Sequence, residues 1–149
     1  MEAVLFVGIQ AAGKSTFYYR QFFNTHIRIN LDMLRTRHRE QLLLRACVEA
    51  RQPFVIDNTN ATRLERAGYI AAARGAGFTV VGYYFQSRLQ DAVARNEQRI
   101  GKARIPAKGI AATHRKLELP RFDEGFDQLR YVEIGPDGAF VVREWQGEV

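Results

Sequence analysis

Residues 8–15 carry the most specific chemical signal in the sequence, because Gly-Ile-Gln-Ala-Ala-Gly-Lys-Ser fits the pattern G-x-x-x-x-G-K-[ST] in full. Glycines let the backbone wrap its N–H groups around phosphate oxygens, and the helix that follows turns its positive end towards them. The lysine adds a charge for the phosphates, and the serine hydroxyl can bind Mg²⁺. We therefore predict that the chain binds ATP and Mg²⁺, with nucleotide contacts from Gly8, Ala11, Ala12, Gly13, Lys14, Ser15 and Thr16.

The residues on either side of this loop support the prediction. The apolar run at residues 3–7 predicts a buried strand that ends at Gly8, and residues 14–25 predict a helix directly after the loop. The sequence has no Asn-Lys-x-Asp motif for guanine. Its 149 residues leave no room for an AAA-type or RecA-type core. We therefore expect a small kinase.

A second set of polar residues follows a short predicted strand at residues 26–30. Asp32 is expected near the edge of the sheet where α/β proteins bind ligands, and a carboxylate there can accept a proton from a substrate hydroxyl. Arg35 can hold a phosphate of that substrate through two hydrogen bonds. The alternative is structural: Asp32 caps a helix that starts at Met33, and Arg35 is solvated.

Asp57 ends a predicted buried strand at residues 54–57. An acid at this position can hold a water molecule on Mg²⁺, so we predict that Asp57 and Ser15 form the metal site, Asp57 through water. The alternative is that Asp57 belongs to a polar turn at the end of the strand.

Two arginines indicate a lid. Arg95 and Arg99 are four residues apart, so they are expected to share one face of a predicted helix at residues 89–100 and to repel each other unless an anion lies nearby. With the basic loop that follows, they predict a lid at residues 95–108 that closes on the triphosphate and neutralises transition-state charge. The alternative is an exposed basic helix.

Strands and helices alternate along the chain, which predicts right-handed βαβ crossovers and a mostly parallel sheet with helices on both faces. The expected fold class is therefore α/β, a doubly wound, three-layer P-loop fold of the adenylate-kinase type with a helical lid. The other predicted elements are a helix from Met33, a longer helix through residues 40–51, a helix at 62–76 capped by Thr62, a strand at 79–85, a helix at 108–117, and a C-terminal hairpin of strands 129–134 and 139–145.

Composition excludes several other classes of protein. One cysteine excludes a disulfide scaffold, and no window approaches 18 consecutive apolar residues, so we expect no membrane span. The N-terminus lacks the basic and apolar regions of a secretory signal. We expect a single cytoplasmic domain over residues 1–149. The net charge of +6 divides into +11 over residues 1–121 and −5 over residues 122–149, which favours an anionic partner for the basic part.

Several of these stretches resemble the kinase domain of the 5′-hydroxyl polynucleotide kinases of phage and eukaryotic DNA repair. The resemblance extends over most of the chain, from Val4 to Leu129. It depends on residues 8–17, Asn30-x-Asp32-x-x-Arg35, residues 55–60, Arg95-Asn96-x-x-Arg99, and Ile105-Pro106. Residues 69–76 and 119–126 are similar to the eukaryotic members.

The resemblance implies an enzyme that transfers the γ-phosphate of ATP to the 5′-hydroxyl ends of DNA or RNA. It implies that Asp32 is the general base on that hydroxyl and that Arg35 binds the 3′-adjacent phosphate of the acceptor. Arg95 and Arg99 correspond to lid arginines on the ATP phosphates, with Arg99 and Lys14 in catalytic roles.

The sequence leaves alternatives for the substrate that accepts the phosphate. Leu31 stands where the family usually has an arginine. P-loop kinases of nucleosides, metabolites or antibiotics share the loop, the acid and the lid. A third alternative is a non-catalytic module that binds ATP, although such a module needs neither Asp32 nor the lid arginines. The sequence makes no prediction about the oligomeric state.

Overall fold

A computed structural model describes residues 1–149, which fold around one six-stranded sheet. The strands are β1 (Glu2–Val7), β2 (Ile27–Ile29), β3 (Phe54–Ile56), β4 (Thr79–Phe85), β5 (Gln128–Ile134) and β6 (Phe140–Glu144). Their order across the sheet is β2-β3-β1-β4-β5-β6. The first five strands run parallel, and β6 pairs antiparallel with β5. The predicted α/β fold with a C-terminal hairpin is confirmed.

Helices cover both faces of the sheet. They are α1 (Lys14–Gln21), α2 (Leu31–Leu34), α3 (Arg37–Ala50), α4 (Arg63–Gly75), α5 (Leu89–Glu97) and α6 (Ala107–Lys116), with short 3₁₀ turns at Gly101–Ala103 and Phe122–Glu124. On one face, α3 and α4 contribute Leu44 and Ile70 to a buried apolar cluster. On the other face, α1, α5 and α6 contribute Phe17, Ala92 and Ile110. The three layers are therefore present. None of the helices has the length and apolarity needed to cross a membrane.

Burial on both faces explains why the strands read as apolar runs rather than as alternating patterns. Residues 3–7 of β1 are all fully buried, between β3 on one side and β4 on the other. Gly82 in the middle of β4 has a steric reason: a Cβ there would lie 2.6 Å from Leu129 Cδ2 and 2.8 Å from Phe126 Cε1. Glycine thus allows the segment that includes β5 to pack closely against β4.

Two predicted helices end earlier than expected. The helix predicted to reach residue 25 ends at Gln21, because Phe22 leaves the helical conformation and packs its ring 6.0 Å from that of Phe6. The helix predicted to reach residue 100 ends at Glu97. Asn96 explains this end: its side chain accepts from Ile105 N over 3.0 Å and donates to Ile105 O over 2.6 Å. That pairing closes the following loop instead of extending α5.

The helix start near residue 32 also differs from the prediction. Asn30, not Asp32, caps α2: its Oδ1 accepts from Met33 N over 2.9 Å. The interpretation of Asp32 as a cap was therefore wrong, and its carboxylate is not used to start the helix. By contrast, Thr62 caps α4 as predicted, with its hydroxyl accepting from Glu65 N.

Candidate active site

The loop between β1 and α1 is anchored at both of its ends. Ile9 N donates to Oγ of the fully buried Ser87 over 3.1 Å. At the far end, Gly13 has a φ of 95°, and a Cβ there would lie 2.9 Å from Cε1 of Phe140. Only glycine combines that φ with so close an approach. Ala11, at φ 61°, also adopts the left-handed conformation. The C-terminal hairpin thus packs directly against the phosphate-binding loop.

Lys14 is folded back onto the loop that it follows. Its Nζ donates to Gly8 O over 2.9 Å and to Ile9 O over 2.7 Å, and only 9% of the residue is exposed. Burial lowers the pKa of Lys14 from 10.5 to about 8. The ammonium is therefore held at the mouth of the loop with little hydration, where an anion interacts with it more strongly than in water.

Charges from three separate parts of the chain act on this lysine. The carboxylates of Asp57 and Asp32 raise the pKa of Lys14 against the effect of burial, and the guanidinium of Arg99 lowers it. The structure thus brings the charged groups predicted from four separate segments of the sequence to one edge of the sheet.

Ser15 and Asp57 are in direct contact. Ser15 Oγ donates to Asp57 Oδ2 over 2.9 Å, and the carboxylate is almost completely buried. No group of three His, Cys, Asp or Glu side chains is placed to hold a metal ion. Mg²⁺ in nucleotide sites needs only one or two protein oxygens, because phosphates and water supply its other ligands. The hydroxyl and carboxylate of this pair fit that requirement.

Arg28 completes this contact and was not singled out in the sequence. Its Nε donates to Asp57 Oδ2 over 2.8 Å, and its Nη2 donates to Ser15 Oγ over 2.9 Å. The guanidinium therefore bridges the two groups of the predicted metal site. The one signal in the sequence was its place in β2, where an alternating pattern turns Arg28 away from the face that buries Ile29.

On the acceptor side, the predicted side chains are free. Asp32 lies in the first turn of α2, is exposed, and makes no hydrogen bond or ion pair. Arg35 ends α2 at a φ of 77°, where its backbone N donates to Leu31 O over 2.7 Å. Its side chain is exposed and likewise unpaired. Both groups are available to a ligand that approaches this edge.

The backbone beneath Asp32 is held firmly. Asn30 Nδ2 donates to Asp57 O over 2.5 Å, and Asn58 Oδ1 accepts from Leu31 N over 2.9 Å. These two amides tie the start of α2 to the end of β3. The position of Asp32 is therefore defined by its neighbours although its own side chain has no partner.

A buried network supports this tie from below. Glu40 is fully buried and accepts from Tyr69 Oη over 2.9 Å, from Arg37 Nη1 over 2.9 Å, and from Asn58 Nδ2 over 3.1 Å. Burial, and secondarily Glu40, raise the pKa of Tyr69 to about 12, so its hydroxyl remains a donor. The sequence contained no signal for this network, since Glu40 and Tyr69 are far apart along the chain.

The two lid arginines do not share a helix face, and that prediction was wrong. Arg95 lies in the last turn of α5, and its Nη1 donates to Ala11 O over 3.1 Å. Arg99 lies beyond the end of α5, and its Nη1 donates to Ala103 O over 3.2 Å. Both side chains are half-buried, but they bond to different segments: Arg95 to the phosphate-binding loop and Arg99 to the 3₁₀ turn that follows α5.

The remaining predicted nucleotide contacts lie in or just after the loop. Ala12 is buried within it, and Thr16 is exposed in the first turn of α1. Gln10 connects the loop to α6, because its Nε2 donates to Thr113 Oγ1 over 2.9 Å. The loop is thus in contact with α5, α6 and the hairpin at once.

A parallel sheet whose first strand leads through this loop into a helix, with the lysine and serine at the helix start, defines a P-loop fold of the kinase type. The chain belongs to the AAA_33 family, described as "AAA domain", which matches residues 4–120.

The proteins that are similar to the chain include one curated relative and the following two solved structures. The relative, a bifunctional polynucleotide phosphatase/kinase from Schizosaccharomyces pombe, is 28% identical over 138 residues, which are 88% of this chain and 33% of the relative. The chain thus spans about a third of the length of that protein. A gluconokinase from Sinorhizobium meliloti 1021 has a TM-score of 0.63 at 19% identity, covering 90% of this chain and 83% of its own. Kti12 from Chaetomium thermophilum, solved in complex with ADP-AlF3, has a TM-score of 0.62 at 14% identity, covering 91% and 92%.

Proposed function

We propose that the protein is an ATP-dependent kinase that transfers the γ-phosphate of ATP to the 5′-hydroxyl ends of DNA or RNA. The observation that carries the proposal is that the exposed, unpartnered carboxylate of Asp32 and the buried ammonium of Lys14 lie at the same edge of the sheet. Asp57 links the two sides, because its side chain accepts from Ser15 at the start of α1 and its backbone O accepts from Asn30 at the start of α2. Phosphates on the lysine and a hydroxyl on the carboxylate would therefore share this edge.

On the nucleotide side, the loop amides and Lys14 bind the β- and γ-phosphates, while Arg95 and Arg99 bind them from the lid over residues 95–108. Arg95 now donates to Ala11 O, and Arg99 to Ala103 O, at 3.1 and 3.2 Å. These are neutral acceptors, so each guanidinium gains by exchanging a carbonyl for a phosphate oxygen. Ser15 and, through water, Asp57 hold Mg²⁺, which neutralises charge on the phosphates.

On the acceptor side, Asp32 takes the proton of the 5′-hydroxyl as that oxygen forms its bond to the γ-phosphorus. The bond between the γ-phosphorus and the bridging oxygen breaks, and ADP leaves with the electron pair. Arg35 binds the first phosphate of the acceptor strand. Its free planar fork of donors suits such a group better than a point charge does.

The choice of a polynucleotide acceptor is supported by the name of the Schizosaccharomyces pombe relative, whose matched region covers 88% of this chain. It is also supported by charge. Arg35 and Arg39, on either side of the start of α3, make no ion pair, whereas Arg28 and Arg37 are already paired with Asp57 and Glu40.

End-labelling tests the proposal. A 5′-hydroxyl oligonucleotide, incubated with γ-labelled ATP and Mg²⁺, should acquire label, and the efficiency should fall steeply as salt rises because phosphate contacts release counterions. Nucleosides, gluconate and other sugars serve as parallel acceptors. Label on one of these small acceptors and none on the oligonucleotide would overturn the polynucleotide assignment in favour of a small-molecule kinase.

A further inference from the structure

Arg28 lies where the proposed function requires a metal ion to bind. Its guanidinium donates to both oxygens of the Ser15–Asp57 pair, through Nη2 over 2.9 Å and Nε over 2.8 Å. These two oxygens come from α1 and from the end of β3, and Arg28 reaches them from β2. One cationic side chain therefore links the three elements that border the predicted metal site.

The buried carboxylate explains why a cation is needed here. The side chain of Asp57 is 1% exposed, while that of Arg28 is 27% exposed. A buried carboxylate without a counter-charge is strongly destabilising, and a guanidinium that donates directly to it removes most of that penalty. Lys14 is the other nearby cation, but its Nζ donates to two backbone carbonyls and not to Asp57. Arg28 is thus the direct counter-ion of Asp57.

The charge of Arg28 beside the Ser15 hydroxyl opposes a metal ion there, although one lone pair of the hydroxyl stays free for a ligand. The hydroxyl has one proton and two lone pairs. The proton goes to Asp57 Oδ2, and Arg28 Nη2 occupies a lone pair at 2.9 Å. An Mg²⁺ ion binds oxygen at about 2.1 Å, so an ion on Ser15 Oγ would lie within about 5 Å of Nη2. Two like charges at that separation repel.

We propose that Arg28 competes with the divalent cation for Ser15 and Asp57, and that the cation must displace its guanidinium in order to bind. The inference rests on the proposed function, because that function assigns a metal to this pair. Arg28 then keeps Asp57 neutralised when no metal is bound, and it lowers the affinity of the site for metal alone. Productive metal binding is thereby favoured when ATP supplies further ligands.

Direct metal binding tests the competition without turnover. Mn²⁺, which shares the oxygen-ligand preference of Mg²⁺, is titrated against the nucleotide-free protein and followed by the electron paramagnetic resonance signal of free Mn²⁺. Arg28→Gln should bind Mn²⁺ about tenfold more tightly than the unchanged protein, because one competing charge is removed. Unchanged or weaker binding would overturn the proposal.

Matched variants locate the effect. Arg45→Gln removes the same charge from an exposed position of α3 that makes no ion pair, and it should leave Mn²⁺ binding unchanged. An equal gain in Arg45→Gln would assign the effect to net charge and overturn the competition. Asp57→Asn in the Arg28→Gln background should abolish the gain. If the double variant still binds Mn²⁺ more tightly than the unchanged protein, the metal binds elsewhere and Ser15 and Asp57 do not form the metal site.

A second measurement uses the unchanged chain, so it does not depend on the folding of a variant. Arginine Nε–H resonances report hydrogen bonds to carboxylates, and the Arg28 resonance should shift towards that of a solvated arginine as Mg²⁺ and a non-hydrolysable ATP analogue saturate the site. A resonance that does not move would overturn the displacement. The end-labelling assay is separate: tighter Mn²⁺ binding in Arg28→Gln without oligonucleotide labelling would sustain this inference and reject the polynucleotide function.

Discussion

The two halves of the candidate site are built in opposite ways. On the nucleotide side, the functional groups are already bonded: the buried Lys14 to two carbonyls, Ser15 to the buried carboxylate of Asp57, and the half-buried Arg95 to Ala11 O. On the acceptor side, Asp32 and Arg35 are exposed and their side chains have no partners, while the backbone that carries them is held by the half-buried amides of Asn30 and Asn58.

Under the proposed function, this difference separates the binding of ATP from the binding of the acceptor strand. A triphosphate is the same ligand in every reaction cycle, so a preformed and partly dehydrated pocket binds it with little reorganisation. The end of a strand varies in its bases and direction of approach, and exposed side chains on a firm backbone suit such a ligand. If the separation is correct, changes on one side should leave the task of the other side intact.

The largest expected effect comes from Asp32→Asn. Loss of the general base should lower kcat by about 10³-fold, since general base catalysis contributes about 10²–10⁴. The affinity for an ATP analogue should change less than twofold, because Asp32 makes no hydrogen bond or ion pair with the loop and its charge is the smallest of the influences on the pKa of Lys14. Asp91→Asn, an exposed acid on α5 without an ion pair, is the control. A fall in nucleotide affinity as large as the fall in kcat would break the separation.

The next effect concerns the buried support of the acceptor side. Glu40→Gln replaces a fully buried acceptor of three hydrogen bonds, so the free energy of unfolding should fall by about 2 kcal/mol in urea titrations. Glu49→Gln, on the exposed side of the same helix, should cost less than about 0.5 kcal/mol. Equal losses in the two variants would show that the network does not support α2.

A smaller effect should follow from the pKa of Lys14 at about 8, lowered from 10.5 by burial. ATP needs the protonated lysine, so the affinity for an ATP analogue should fall by up to about tenfold per pH unit above pH 8. The stability of the nucleotide-free protein should change with pH in the opposite direction. Between pH 8 and 10.5 the unfolded chain binds more protons than the folded chain, so the free energy of unfolding should rise with pH. Lys14→Arg should remove both pH dependences; their persistence would assign them to another group.

The nucleotide side was largely predictable because its information is local. Residues 8–15 specify a loop, and the apolar run before them specifies the strand that positions it. The position of Asp57 could be predicted as well, since a carboxylate that directly follows a buried strand lies at the edge where parallel strands end; its role at a metal stays a prediction. The hairpin was predicted from Pro-Asp-Gly between two apolar runs, and β5 and β6 confirm it.

The acceptor side was predictable in its residue types but not in its supports. The alternative interpretation of Asp32 as a helix cap was wrong, because Asn30 has the same capacity two residues earlier and is the residue that caps α2. Arg28 and Glu40 act through partners 29 residues away along the chain: Asp57, directly after β3, and Tyr69 in α4. Helical spacing placed Arg95 and Arg99 on one face, and the side chain of Asn96 ended the helix between them.

A crystal structure of the protein with a non-hydrolysable ATP analogue, Mg²⁺ and a 5′-hydroxyl oligonucleotide tests the central claim most directly. The account predicts that the 5′ oxygen lies within hydrogen-bond distance of the Asp32 carboxylate, about 2.6–3.2 Å, and in line with the γ-phosphate held by Lys14. A 5′ end bound away from Asp32, or an Asp32 carboxylate directed away from the γ-phosphate, would contradict it.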